Sequence, residues 1–139
     1  MLAYTQNIEQ VVLDNFEKSK KSIVIVVAWF TNNRIVEKLI QLKRRNESLS
    51  IQILVDENDI NQKYFFNIFT ERLIEAGIEI KRQKVTKFNH NKFSIIDEEI
   101  IMTGSYNYTK RANTNHENII VDSNERIAKY YKRVFRFFF

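Results

Sequence analysis

Ile23-Val24-Ile25-Val26-Val27-Ala28-Trp29-Phe30 is the stretch that decides the fold. It is apolar on both faces and rich in β-branched residues, so it reads as a central strand of a sheet covered on both sides. It is far too short to span a bilayer. Its place is therefore the core, Trp29 included.

Helical periodicity flanks this strand. Upstream, Ile8, Val12 and Phe16 recur at helical spacing behind Thr5, a candidate N-cap. Downstream, a helix starting near Thr31 or Asn32 carries Ile35, Val36, Leu39 and Ile40, and Leu49 to Val55 reads as the next strand. Strand, helix and strand make a β-α-β unit. A further helix is expected from Asn61 to Ala76, closed by Gly77 as a left-handed cap and followed by a strand from Ile78 to Arg82. The last helix, about Ser123 to Phe137, should pack through Ile127, Tyr131 and Val134. The terminal phenylalanines, Phe137 to Phe139, would leave much apolar area in water unless covered, and the domain's own sheet is the expected cover. With no proline and no low-complexity linker, residues 1–139 form a single α/β domain: a mixed β-sheet flanked by helices on both faces.

Between the third strand and the last helix lies a hairpin that carries chemistry. Phe88, Phe93, Ile95 and Ile96, then Ile100, Ile101 and Met102, read as two strands joined by Asp97-Glu98-Glu99. On this hairpin sits the pattern H-x-K-x4-D-x6-G-S-x-N, formed by His90, Lys92, Asp97, Gly104, Ser105 and Asn107. Alternation along a strand puts His90, Lys92 and Ser94 on one face, so an imidazole and an ammonium point together. Gly104 lets the second strand turn sharply or approach a ligand closely, and presents the Ser105 hydroxyl and Asn107 amide as neutral partners for phosphate oxygens.

These residues resemble the phospholipase D superfamily, in which the H-x-K-x4-D signature with a downstream G-S-x-N marks phosphodiester cleavage without metal. The resemblance is specific over about residues 88 to 121, where Asn115-His116-Glu117-Asn118 continues the pattern. It implies a phospholipase D-like fold with one copy of the motif, and a covalent reaction in which His90 attacks phosphorus and a second histidine protonates the leaving oxygen. It further implies that Lys92, Ser105 and Asn107 bind the phosphate and that Glu117 hydrogen-bonds His90; the motif aspartate is structural in that family, and Asp97, where a strand ends and a turn begins, is placed behind the site with Gly104. His116, the only other histidine, lacks the rest of the motif and reads as a loop residue. A two-fold homodimer joined through the active-site face would supply the second imidazole, because such an interface brings equivalent residues face to face. Tyr108 stands where comparable single-motif members often carry tryptophan, which bears on local packing.

Composition narrows the partners. The chain has 22 Lys and Arg against 17 Asp and Glu, a formal net charge of +5 that favours polyanions. Lys84 and Lys87, with Lys81 and Arg82 before them, precede the motif, and Lys110 and Arg111 follow it, as substrate-binding candidates along a nucleic-acid backbone. The absence of cysteine excludes disulfides and thiolate metal sites, and two histidines argue against an all-protein zinc site, so no metal or cofactor is called for. No leader-like segment opens the sequence, which makes a soluble, cytoplasmic protein the expectation and a membrane partner the lesser one. The leading function is a metal-independent nuclease. A cardiolipin or phosphatidyl hydrolase, or a weakly active nucleic-acid-binding module, are the alternatives.

Overall fold

The computed structural model describes residues 1–84 and 86–138. Along the chain run β1 (Leu2–Tyr4), α1 (Ile8–Glu17), β2 (Ser22–Val27), α2 (Asn33–Arg45), β3 (Ser50–Asp56), α3 (Asp59–Asn61), a π-turn (Gln62–Phe66) and α4 (Thr70–Glu75). Then follow β4 (Glu79–Gln83), β5 (Lys92–Ile96), β6 (Ile100–Gly104), a 3₁₀ turn (Arg111–Thr114), β7 (Ile119–Ser123) and α5 (Glu125–Phe138). The strands form a seven-stranded sheet in the order β1-β7-β6-β5-β2-β3-β4. β2, β3 and β4 are parallel, whereas β5, β6, β7 and β1 pair antiparallel.

Each face of β2 feeds its own core, as a strand apolar on both faces requires. Ile23, Ile25 and Val27 pack with Val12 and Phe16 of α1 and Ile35 and Leu39 of α2. Val24 and Val26 pack with Phe93 and Ile95 of β5 and with Ala128 and Phe135 of α5. The mixed sheet with helices on both faces is thus observed.

Three expectations about helices are corrected. The first helix is entered through Asn7 in the left-handed region (φ 54°), not capped by Thr5. The helix expected from Asn61 to Ala76 breaks into α3, the π-turn and α4, because the Asn61 side chain turns inward to the strands. Its amide donates to the carbonyls of Ala28 (2.8 Å) and Asp56 (3.0 Å) and its oxygen accepts from the Phe30 N–H (3.2 Å). Gly77 does close this stretch at φ 90°. The buried stripe of α5 is Ala128, Tyr131, Phe135 and Phe138, leaving Ile127 exposed. The small Ala128 allows close approach to the sheet, and the Tyr131 ring meets Phe93 edge-on at 4.9 Å. The terminal phenylalanines divide accordingly: Phe138 packs against this core, Phe137 is 86 % exposed, and Phe139 lies outside the described residues.

Candidate active site

The parallel strands β2 and β3 end side by side at Val27 and Asp56, and β5 begins against the end of β2, with Lys92 opposite Val27. β2 has β3 on one side and β5 on the other, so chain connections diverge there, and such a switch point at carboxyl strand ends opens a crevice. His90, Lys92 and Asn107 gather there.

His90 lies on the extended segment entering β5, and its imidazole is exposed and makes no side-chain hydrogen bond among the described residues. Two rings hold it instead. Trp29 meets it edge-on at 5.6 Å between centroids, and Phe88 lies at 5.3 Å. The Lys92 ammonium donates to the His90 carbonyl at 2.8 Å. Burial lowers the pKa of Lys92 below the ordinary lysine value, and the nearby Glu117 carboxylate opposes that shift without cancelling it. Ser94, next on the same face, is fully buried and shares a hydrogen bond with the Tyr108 hydroxyl, so it supports the site from below.

Asn107 is oriented by its oxygen, which accepts from the Trp29 N–H at 3.2 Å. That leaves the amide NH₂ free to donate. Tyr108 packs well in this setting. Its carbonyl accepts from the N–H groups of Thr31 and Asn32, and its ring meets Phe16 and Phe30 edge-on.

Gly104 is required by a neighbouring backbone. A Cβ there would fall 2.2 Å from the Asn118 carbonyl oxygen. The close approach brings Ser105 onto the 117–118 segment, where its hydroxyl donates to Glu117 and accepts from the Asn118 N–H. A hydroxyl has one proton, so Ser105 in this arrangement positions Glu117 and has none left for a phosphate oxygen. Glu117 differs from expectation too: its oxygens accept from Ser105 and Asn115, and it makes no hydrogen bond to His90. It answers the charge of Lys92 instead.

Asp97 has a structural place, at the turn where β5 ends. It stands at the opposite end of β5 from Lys92, and its carboxylate accepts from the N–H groups of Lys20, Lys21 and Ser22. It anchors the start of β2 and does not back the site. The four substrate-binding candidates are all exposed. Lys84 and Lys87 line a cavity with His90, Phe88 and Phe137, and Arg111 lines another with Trp29 and Asn107. Arg82, by contrast, lies over the Phe66 ring at 4.0 Å and pairs with Glu57.

Residues beyond the motif complete the arrangement. Asp56 is 2 % exposed; it accepts from the Asn89 N–H at 2.6 Å, and its other oxygen has no hydrogen-bond partner among the described residues. Burial raises its pKa, and the Asn89 hydrogen bond works against that rise. Glu9 accepts from Asn32, Arg34 and Asn113, and Asn113 accepts from the Tyr106 hydroxyl, tying the 105–118 loop to α1 and α2. Trp29, expected in the core, is half-buried at the site. The signal for Asp56 was in the sequence: a lone carboxylate closing an apolar strand, where α/β sheets bind ligands. No group of three or more His, Cys, Asp or Glu among the described residues could hold a metal, and no described helix is long and apolar enough to cross a membrane.

Fold and motif together define a phospholipase D-like domain. The family described as cardiolipin synthase, PLD-like domain, matches residues 12–138, and the chain belongs to it. A mitochondrial cardiolipin hydrolase of Chlamydomonas reinhardtii is 29 % identical over 124 residues, which is 88 % of this chain and 53 % of that protein. A phospholipase D of Rickettsia bellii is 31 % identical over 121 residues, covering 86 % of this chain and 58 % of its own. The chain thus spans a little over half the length of these relatives. The crystal structure of a phospholipase D family member, Nuc from Salmonella typhimurium, superposes with a TM-score of 0.85 at 25 % identity, over 94 % of this chain and 85 % of that one.

Proposed function

We propose that this domain is a metal-independent phosphodiesterase, and specifically a nuclease, acting as a two-fold homodimer. The observation that carries the chemistry is the exposed His90 imidazole, free of side-chain hydrogen bonds among the described residues, near the Lys92 ammonium and the oriented Asn107 amide. An imidazole nitrogen so placed attacks phosphorus; the N–P bond forms, the P–O ester bond breaks, and the leaving oxygen takes a proton from a second imidazole. Water then attacks phosphorus, gives its proton to that second imidazole and releases His90. Lys92 and Asn107 stabilise the charge on the phosphate oxygens in both steps, while Ser105 and Glu117 hold Lys92 in its field.

The second imidazole comes from the partner's copy of the same histidine. His116 is exposed on a different cavity, walled by the start of α1, and does not share the one lined by His90. Nucleic acid is favoured as substrate by the net charge of +5 and by exposed Lys84, Lys87, Lys110 and Arg111 on both flanks of the imidazole. A lipid diester is the second reading, favoured by Phe137 exposed beside Lys87. The cytoplasm is the compartment proposed with the nuclease reading.

A substrate panel in excess EDTA tests this: single-stranded DNA, duplex DNA, RNA and cardiolipin vesicles. Cleavage of a nucleic acid, with vesicles left intact, is expected. Mixing wild-type with His90→Ala chains should lower activity with the square of the wild-type fraction. A linear decline would sink the shared site, and an absolute need for added magnesium would sink the mechanism.

A further inference from the structure

The reactive imidazole leans on Trp29, and Trp29 is also the wall of a cavity of about 420 Å³ that adjoins the site through Asn107 and Glu117. Its other walls include Ile60, Tyr64, Thr109 and Arg111. A volume of this order lies within the roughly 300–1,000 Å³ range of small-ligand pockets.

Two features argue that this wall is built and not left over. First, Ile60 and Tyr64 are 47 % and 44 % exposed, large side chains held in the open next to an active imidazole. They belong to the stretch where a regular helix gives way to α3 and the π-turn, an irregularity concentrated at functional sites. Second, the stretch is fixed. Asn61, fully buried between them, bonds the backbone on both sides of Trp29, at Ala28 and Phe30, while Asn107 and Tyr108 bond the N–H and carbonyl of Trp29 itself. The Trp29 and Tyr64 walls are thereby tied to each other through the strand ends.

The lining selects its ligand chemically. The Trp29 and Tyr64 rings suit a planar π-system, the Thr109 hydroxyl suits its hydrogen-bonding edge, and Arg111 suits a neighbouring phosphate. A nucleobase has all of these when unpaired, whereas in a duplex its faces and edge are already engaged. The glycerol of a phospholipid offers no planar group. We infer that this cavity binds the base of the nucleotide adjoining the scissile bond, with Trp29 and Tyr64 as its aromatic walls, so that the enzyme takes its substrate as an unpaired strand. This rests on the nuclease reading and adds to it a base-binding site.

The test is a single-stranded oligonucleotide, intact or carrying one abasic position, with kcat/KM measured for the bonds next to that position in EDTA. The wild-type protein should cut the intact strand about tenfold faster there, the order expected for one base on an aromatic face. Tyr64→Ala should bring the ratio of intact to abasic rates close to one, and Tyr64→Phe should keep it. Because Tyr64 is half exposed, its removal opens no internal void. Equal cutting of both strands by the wild type, or an unchanged ratio in Tyr64→Ala, would overturn the base-binding site while leaving the nuclease standing. Hydrolysis of cardiolipin vesicles with no cleavage of either strand would overturn the nuclease reading, and this inference with it.

Discussion

The two ends of β5 carry the charged residues of one motif and use them in opposite ways. At one end, Asp97 is saturated: its carboxylate accepts from three consecutive backbone N–H groups, Lys20, Lys21 and Ser22. At the other, among the described residues, the His90 imidazole has no side-chain hydrogen bond and the Lys92 ammonium is tethered to a single carbonyl. A satisfied polar group contributes to folding, whereas an unsatisfied exposed one keeps its bonding capacity for a substrate. Proximity in a sequence motif does not make its members a single chemical unit. Here a strand separates the residue that fixes β2 from those that face the crevice.

The sharpest way to break this contrast is to exchange its consequences. His90→Ala should lower kcat by roughly 10⁴-fold or more, as loss of a nucleophile does, yet shift unfolding free energy by no more than about 0.5 kcal/mol, because the ring is at the surface. Urea denaturation alongside a cleavage assay reads both. A mutant that loses stability together with activity would erase the distinction between the two ends.

Asp97→Ala should behave in reverse. Losing a charge-assisted cap shared by several N–H groups costs about 2 kcal/mol, visible as a lower urea midpoint, and activity per folded molecule should stay near wild type. Asp97 and Glu98 both sit at positive φ, 55° and 56°, and the Glu99 N–H bonds the Ile96 carbonyl, a type I′ turn. That turn, held by Asp97, is the local structure that the substitution should loosen.

The smallest effect separates charges within the active end. Burial lowers the Lys92 pKa and Glu117 partly restores it, so the ammonium is lost at a lower pH than that of a free lysine. The alkaline limb of kcat/KM should lie below the ordinary lysine range. Glu117→Gln removes the restoring anion and should move that limb to still lower pH. Lys92→Arg, charged throughout the accessible range, should flatten it at a reduced maximum. A pH–rate series on the three proteins checks the ordering, and a limb unmoved by Glu117→Gln would detach that carboxylate from Lys92.

The sheet and the motif were legible in the sequence because both depend on local periodicity. The both-faced apolar run at Ile23 to Phe30 and the spacing from His90 to Asn107 need no knowledge of distant contacts. What escaped was decided by long-range hydrogen bonds. Nothing in residues 61–76 shows that Asn61 will reach Ala28 and Asp56 and thereby break the helix. The same holds for Asp97, whose partners lie 75 to 77 residues away, and for Ser105, whose proton is claimed by Glu117. Trp29 looked like core because the apolar run continues through it, while β2 ends at Val27 and the following turn lifts the ring to the crevice. In α5, helical spacing fitted two adjacent stripes, and only close packing at Ala128 selects between them.

The strand order has a further consequence, for how copies of this domain can meet. The outermost strands are β1, only three residues long, and β4, which carries Glu79, Lys81 and Arg82 along its length. Brevity and charge are the means by which open sheets resist growing sideways into one another. Lateral continuation of the sheet from one molecule to the next is therefore disfavoured at both borders. Self-association is channelled to the strand ends and helix faces, among them the end where the crevice opens.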